Sequence, residues 1–164
     1  MLEYEWLHLL KHLVIMQFFV SNIPLKSILI PLVNVSVTAG FPSPALDYLE
    51  ERIDLAKQLA PHPLSTFYVH VQGDSMIDAC IPPHAILVVD KSIEAKNGDI
   101  VVAYLNGDFT VKYILLEKNR CLLVAANKQK KYPSIEISEE MDMCVWGVVT
   151  NVIIDTKHIR KCML

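Results

Sequence analysis

Apolar residues change their spacing along this chain, and the changes divide it into segments. The first 39 residues hold two apolar runs, at 13–20 and 28–33, interrupted by Asn22, Pro24 and Lys26. Before them, Leu2, Trp6, Leu9, Leu10 and Leu13 fall near one side of an amphipathic helix over residues 1–15. Gly40 opens a linker in which Ser43 caps a helix, Pro44 sits in its first turn and Asp47 adds a favourable acidic group. Leu46, Leu49, Ile53, Ala56 and Leu59 follow at helical spacing until Pro61 and Pro63 end the pattern. From Leu64 the period changes to that of strands. Short apolar or alternating runs at 67–71, 85–89, 99–105, 109–115, 121–125, 135–137 and 145–154 are separated by turn residues. Asn106-Gly107 between two of them is a strong hairpin signal. The pattern therefore predicts a mainly β protein: an N-terminal arm (1–39), a linker with a short helix (40–63), a compact, curved antiparallel domain (64–155) and a C-terminal tail (156–164).

Composition narrows the function classes. A chain of 164 residues has room for one domain plus an arm, and 52% hydrophobic with 20% charged residues describes a globular protein rather than a disordered one. The net charge of -3 supplies no general attraction to nucleic acid or anionic membrane, so a DNA-related role would act through a protein partner, without sequence-specific DNA binding. Cys80, Cys121, Cys144 and Cys162 lack the close spacing of a zinc or dithiol centre and read as thiols in a reducing compartment. Two disulfides in an exported chain are the competing account. The apolar arm and Thr38-Ala39-Gly40 raise the question of an export signal or membrane anchor. Yet the interruptions keep the arm below the ~18 to 20 continuous apolar residues of a span. Glu3 and Glu5 also weaken a positive flank. A cytoplasmic protein without a membrane partner is expected.

Two residues carry candidate chemistry. Ser75 lies in the turn Gly73-Asp74-Ser75-Met76 after a strand-like run, and Lys112 lies inside the run Phe109-Thr110-Val111-Lys112-Tyr113. Alternation puts Phe109, Val111 and Tyr113 on one strand face and Thr110, Lys112 and Ile114 on the other. Both faces carry apolar residues, so Lys112 is expected to be partly desolvated, which lowers a lysine pKa and suits it to accept a proton. A serine beside it could become a nucleophile, with the Asp74 and Ser75 backbone amides stabilising an oxyanion. The plain alternatives are a commonplace turn and an edge-strand lysine. Asp74, Asp78, Asp90 and Asp99 read as shapers of turns and strand ends rather than metal ligands. His62, His70 and His84 lack ligand spacing, and no cofactor is indicated. Lys128, Lys130 and Lys131 read as a solvated basic loop, and Trp146 and Val148 as core or interface packing.

Gly73-Asp74-Ser75-Met76-Ile77-Asp78, Gly98-Asp99-Ile100-Val101-Val102 and Phe109-Thr110-Val111-Lys112 together resemble the serine-lysine self-cleaving family of the LexA repressor and the UmuD mutagenesis protein. The resemblance covers roughly residues 39–154, and Ser75 and Lys112, 37 residues apart, match its nucleophile and general base. Gly40-Phe41-Pro42-Ser43-Pro44-Ala45, Asp47-Tyr48 and Arg52-Ile53-Asp54-Leu55 look specifically UmuD-like. By that resemblance Ala39-Gly40 matches the scissile bond, in its repressor-like Ala-Gly form. The arm is longer than is usual in UmuD-like chains. The resemblance implies a homodimer that cleaves itself on meeting the RecA filament on single-stranded DNA and then joins a UmuC-like DNA polymerase for translesion synthesis in the SOS response.

Other classes compete. A self-cleaving, LexA-like transcriptional regulator needs an N-terminal DNA-binding helix-turn-helix, for which the proline-interrupted, weakly basic residues before Gly40 are poorly suited. A signal peptidase uses similar chemistry but pairs it with a continuous membrane span. A non-cleaving adaptor would keep the β domain as a binding module.

Overall fold

A computed structural model of the chain describes residues 27–33 and 50–159. A seven-stranded antiparallel sheet dominates them. Its strands are β3 (Thr66–His70), β4 (Ile86–Asp90), β5 (Ile100–Leu105), β6 (Asp108–Glu117), β7 (Arg120–Val124), β8 (Ile135–Glu136) and β9 (Met143–Ile153). They run in the spatial order β3-β4-β9-β5-β6-β7-β8. The mainly β, antiparallel architecture expected from the sequence is thus present, and its sheet is open.

Period-two alternation divides the core between the faces of the sheet. Val102 packs with Val71, Met76, Ile81, Ala85, Leu87 and Val89, while its neighbours Val101 and Ala103 pack with Ile114, Leu123 and Val148. Strand β4 reads as a continuous apolar run because Leu87, Val88 and Val89 are all fully buried. Its last residue, Asp90, is also buried, and its carboxylate accepts from the Ser65 hydroxyl and from both the amide and hydroxyl of Ser92, with His62 Nδ1 2.7 Å away. The hairpin expected at Asn106-Gly107 joins β5 to β6, with φ of +48° and +104° at the two turn residues, the signs a tight hairpin turn requires.

The linker departs from expectation. In place of one helix running through residues 46–59, Glu50–Asp54 forms strand β2, antiparallel to β1 (Leu29–Val33). Helix α1 is only Leu55–Leu59, and Asp54 caps it by accepting from the Lys57 N–H at 3.1 Å. The physical reason is that a five-residue ladder to β1 satisfies the backbone of residues 50–54, which outweighs a weak local helix pattern. Ser43, Pro44, Leu46, Asp47 and Leu49 lie outside the described residues, as do the amphipathic pattern of residues 1–15 and Ala39-Gly40. The β1–β2 ladder joins residues assigned from sequence to the arm and to the linker. Within the expected tail, Thr156–Ile159 forms the short helix α2.

Candidate functional site

Strand pairing sets up the site. Strand β7 pairs β6 only from Tyr113 to Glu117, so residues 108–112 of β6 are paired on one side, to β5. The chain leaving β7 then meets the turn that follows β3: Ala126 N–H donates to the Ser75 carbonyl at 2.8 Å, and the Asp78 N–H donates to the Ala126 carbonyl at 2.8 Å. These bonds hold the Ser75 turn beside Lys112. Gly73 enters the turn with φ of +85°, and a Cβ there would meet nothing within 4 Å. Its left-handed backbone, not crowding within the chain, is what favours glycine.

Lys112 Nζ lies 3.0 Å from Ser75 Oγ, 3.0 Å from Thr110 Oγ1 and 2.9 Å from the Val111 carbonyl. The residue is 8% exposed, and among the described residues it pairs with no carboxylate. Burial pushes its pKa below the ordinary lysine value because the charged amine loses solvation. All three partners are neutral oxygens. The amine donates to all three; on losing a proton it would keep two N–H groups for Thr110 and Val111 and gain a lone pair able to accept from the Ser75 hydroxyl.

A cleft of about 230 Å³ opens beside the pair, lined among others by Val69, Val71, Ser75, Met76, Phe109 and Thr110. It lies between β3 and the half of β6 that β7 leaves unpaired. Among the described residues the Ser75 N–H has no hydrogen-bond acceptor, whereas the Asp74 N–H lies near its own carboxylate. The Asp74 carbonyl accepts from Asn127 Nδ2 at 2.8 Å.

Ser75, Lys112 and the Asp74 backbone lie together in the structure. Thr110 is a further member that the motif does not announce, although its place two residues from Lys112 on the same strand face is the signal that reveals it. Asn127, Lys130 and Tyr132 are also contributors, and no local spacing links them to a turn more than fifty residues earlier. Lys128, Lys130 and Lys131 are exposed as expected, and Lys130 Nζ in addition lies 2.6 Å from Asp74 Oδ2. Asp99 shapes a turn by accepting from the Lys96 amide, whereas Asp78 reaches across the fold to accept from the Lys128 amide after β7. Cys80, Cys121 and Cys144 are free thiols. Among the described residues no group of three or more His, Cys, Asp or Glu side chains could hold a metal, and no helix is long and apolar enough to cross a membrane.

Residues 31–150 match the Peptidase S24-like family. The chain is 37% identical over 130 residues to Protein ImpA of Escherichia coli, covering 79% of this chain and 87% of that protein. It is 41% identical over 127 residues to Protein SamA of Salmonella typhimurium, covering 77% and 86%. Similarity to the LexA repressor of Carboxydothermus hydrogenoformans is lower, 34% over 125 residues, covering 76% of this chain and 60% of the repressor.

Proposed function

The chain belongs to the Peptidase S24-like family, and on that premise we propose that it is a self-cleaving accessory subunit of an error-prone translesion DNA polymerase, cut between Ala39 and Gly40 by Ser75 and Lys112. The observation that carries this reading is the 3.0 Å contact between a buried lysine amine and a serine hydroxyl at the edge of a groove. Neutral Lys112 takes the Ser75 proton, and Oγ attacks the Ala39 carbonyl carbon. The Ser75 amide, with the Asp74 amide beside it, faces the oxyanion that develops. The Lys112 ammonium then returns the proton to the Gly40 nitrogen, which leaves as a new N-terminus. Water, deprotonated by the same amine, hydrolyses the Ala39 ester and frees Ser75. Thr110 and the Val111 carbonyl aim the Lys112 amine throughout. Because the scissile bond belongs to the same chain or to a dimer partner, its effective concentration is high.

The UmuD-like reading is favoured over the LexA-like one by the higher identity to ImpA and SamA and by the nearly full coverage of those proteins. With it come a homodimer, a UmuC-like polymerase as partner, the RecA filament on single-stranded DNA as trigger, and action in the cytoplasm. The purified full chain, held at alkaline pH where more Lys112 is neutral, should yield a fragment beginning at Gly40 by intact mass. Ser75→Ala and Lys112→Ala should each abolish it. Cleavage at parental rate in either variant would remove that residue from the mechanism.

A further inference from the structure

The residue before Ser75 carries a charge in an awkward place. The Asp74 carboxylate is near enough to its own N–H for that amide to help hold it below the ordinary carboxylate range, a shift caused first by Lys130 and then by Tyr132. Left free beside the amides of this turn, a carboxylate would accept their N–H groups and oppose an oxyanion forming there. Besides that contact with its own amide, both of its oxygens are engaged from outside the turn. The Tyr132 hydroxyl donates to Oδ1 at 2.5 Å, and Lys130 Nζ pairs with Oδ2 at 2.6 Å. Each partner is surface-exposed, so this contact adds little to stability. Its position next to the nucleophile gives it a different use.

We propose that Tyr132 and Lys130 are positioning residues for the Ser75 reaction, holding the Asp74 carboxylate away from the Ser75 amide and offsetting its charge, so that the amide stays available to the oxyanion. This rests on the reading of Ser75 as the nucleophile. Loss of the two holders then harms the reaction only while the Asp74 carboxylate is present. A merely structural tether between residues 127–132 and the turn has no such dependence.

The full chain supplies two readouts, self-cleavage at alkaline pH and labelling of Ser75 by a fluorophosphonate, a probe whose phosphoryl oxygen uses the same oxyanion site. Combining Tyr132→Phe with Lys130→Met should slow both by roughly ten- to a hundred-fold, below the full loss of an oxyanion donor. Adding Asp74→Ala to that pair should restore most of the lost rate. Parental rates in the double variant, or a triple variant as slow as the double, would overturn the inference. Ser75 labelling in a parent chain that yields no Gly40 end would sink the cleavage reading alone, with the inference still decided by the labelling rates. A parent whose Ser75 does not label would overturn both.

Discussion

Lys112 is a buried amine among neutral oxygens, and that choice has a thermodynamic signature separate from catalysis. Burial lowers its pKa in the fold, so between that lowered value and the ordinary 10.5 the unfolded chain binds more protons than the folded one. Stability from this residue is therefore fully present above the unfolded value and is lost as pH falls towards the folded one. Urea unfolding of Ser75→Ala and Ser75→Ala/Lys112→Met chains across this window isolates the effect, since other groups cancel in the difference. The lysine chain should lose stability relative to the methionine chain as pH is lowered. A difference independent of pH would mean that Lys112 titrates alike in both states. At this scale the sequence was legible where neighbours are close: the Gly73-Asp74-Ser75 turn, the lysine in a strand, and Thr110 by alternation. The Asp74 contacts to Lys130 and Tyr132 were not, because they depend on how β7 ends and where the following loop travels.

Strand β9 shows how an element positions the site's surroundings. It pairs with both β4 and β5, and its register slips once against each, leaving Thr150 and Trp146 as extra residues. Such bulges sharpen twist and re-aim side chains. Trp146 thereby lies against Phe67 of β3 and Phe109 of β6, with ring centroids 5.2 and 5.9 Å away. Those two strands also border the cleft beside Ser75. Gly147 makes the close approach to β4 possible: a Cβ there would lie 2.7 Å from Val89 Cγ1 and 3.1 Å from the Asp90 carbonyl oxygen. Gly147→Ala should cost about 1 to 3 kcal/mol of stability by urea unfolding, the usual range for forcing atoms into filled space. An unchanged midpoint would show that β4 and β9 part without cost. The strand runs and the hairpin were readable from alternation and from Asn106-Gly107, but neither bulge was, since an extra residue leaves the apolar count almost unaltered. The helix pattern in the linker misled for a related reason: residues 50–54 are governed by a partner strand about twenty positions away, not by their own periodicity.

On the scale of the molecule, the β1–β2 ladder and the proposed scissile bond are connected. Strand β1 ends at Val33 and β2 begins at Glu50, so Ala39-Gly40 falls in the segment linking them. Cutting that segment converts an intramolecular ribbon into two chains held through this ladder by five residue pairs. An isolated two-stranded ribbon is at best marginally stable, and Leu29, Ile30 and Leu32 remain exposed on it. The 1–39 fragment should consequently separate from the cleaved protein on gel filtration, and co-elution would show that contacts beyond this ladder retain it. The sheet itself brings Ser75 and Lys112 together without any contribution from the ribbon. The pH dependence of self-cleavage in the full chain tests that pairing most directly. The rate should rise about tenfold per pH unit and level off below pH 10.5, following one deprotonation. A rate that does not change with pH, or an identical profile in Lys112→Ala, would contradict the pairing of a neutral amine with the Ser75 hydroxyl.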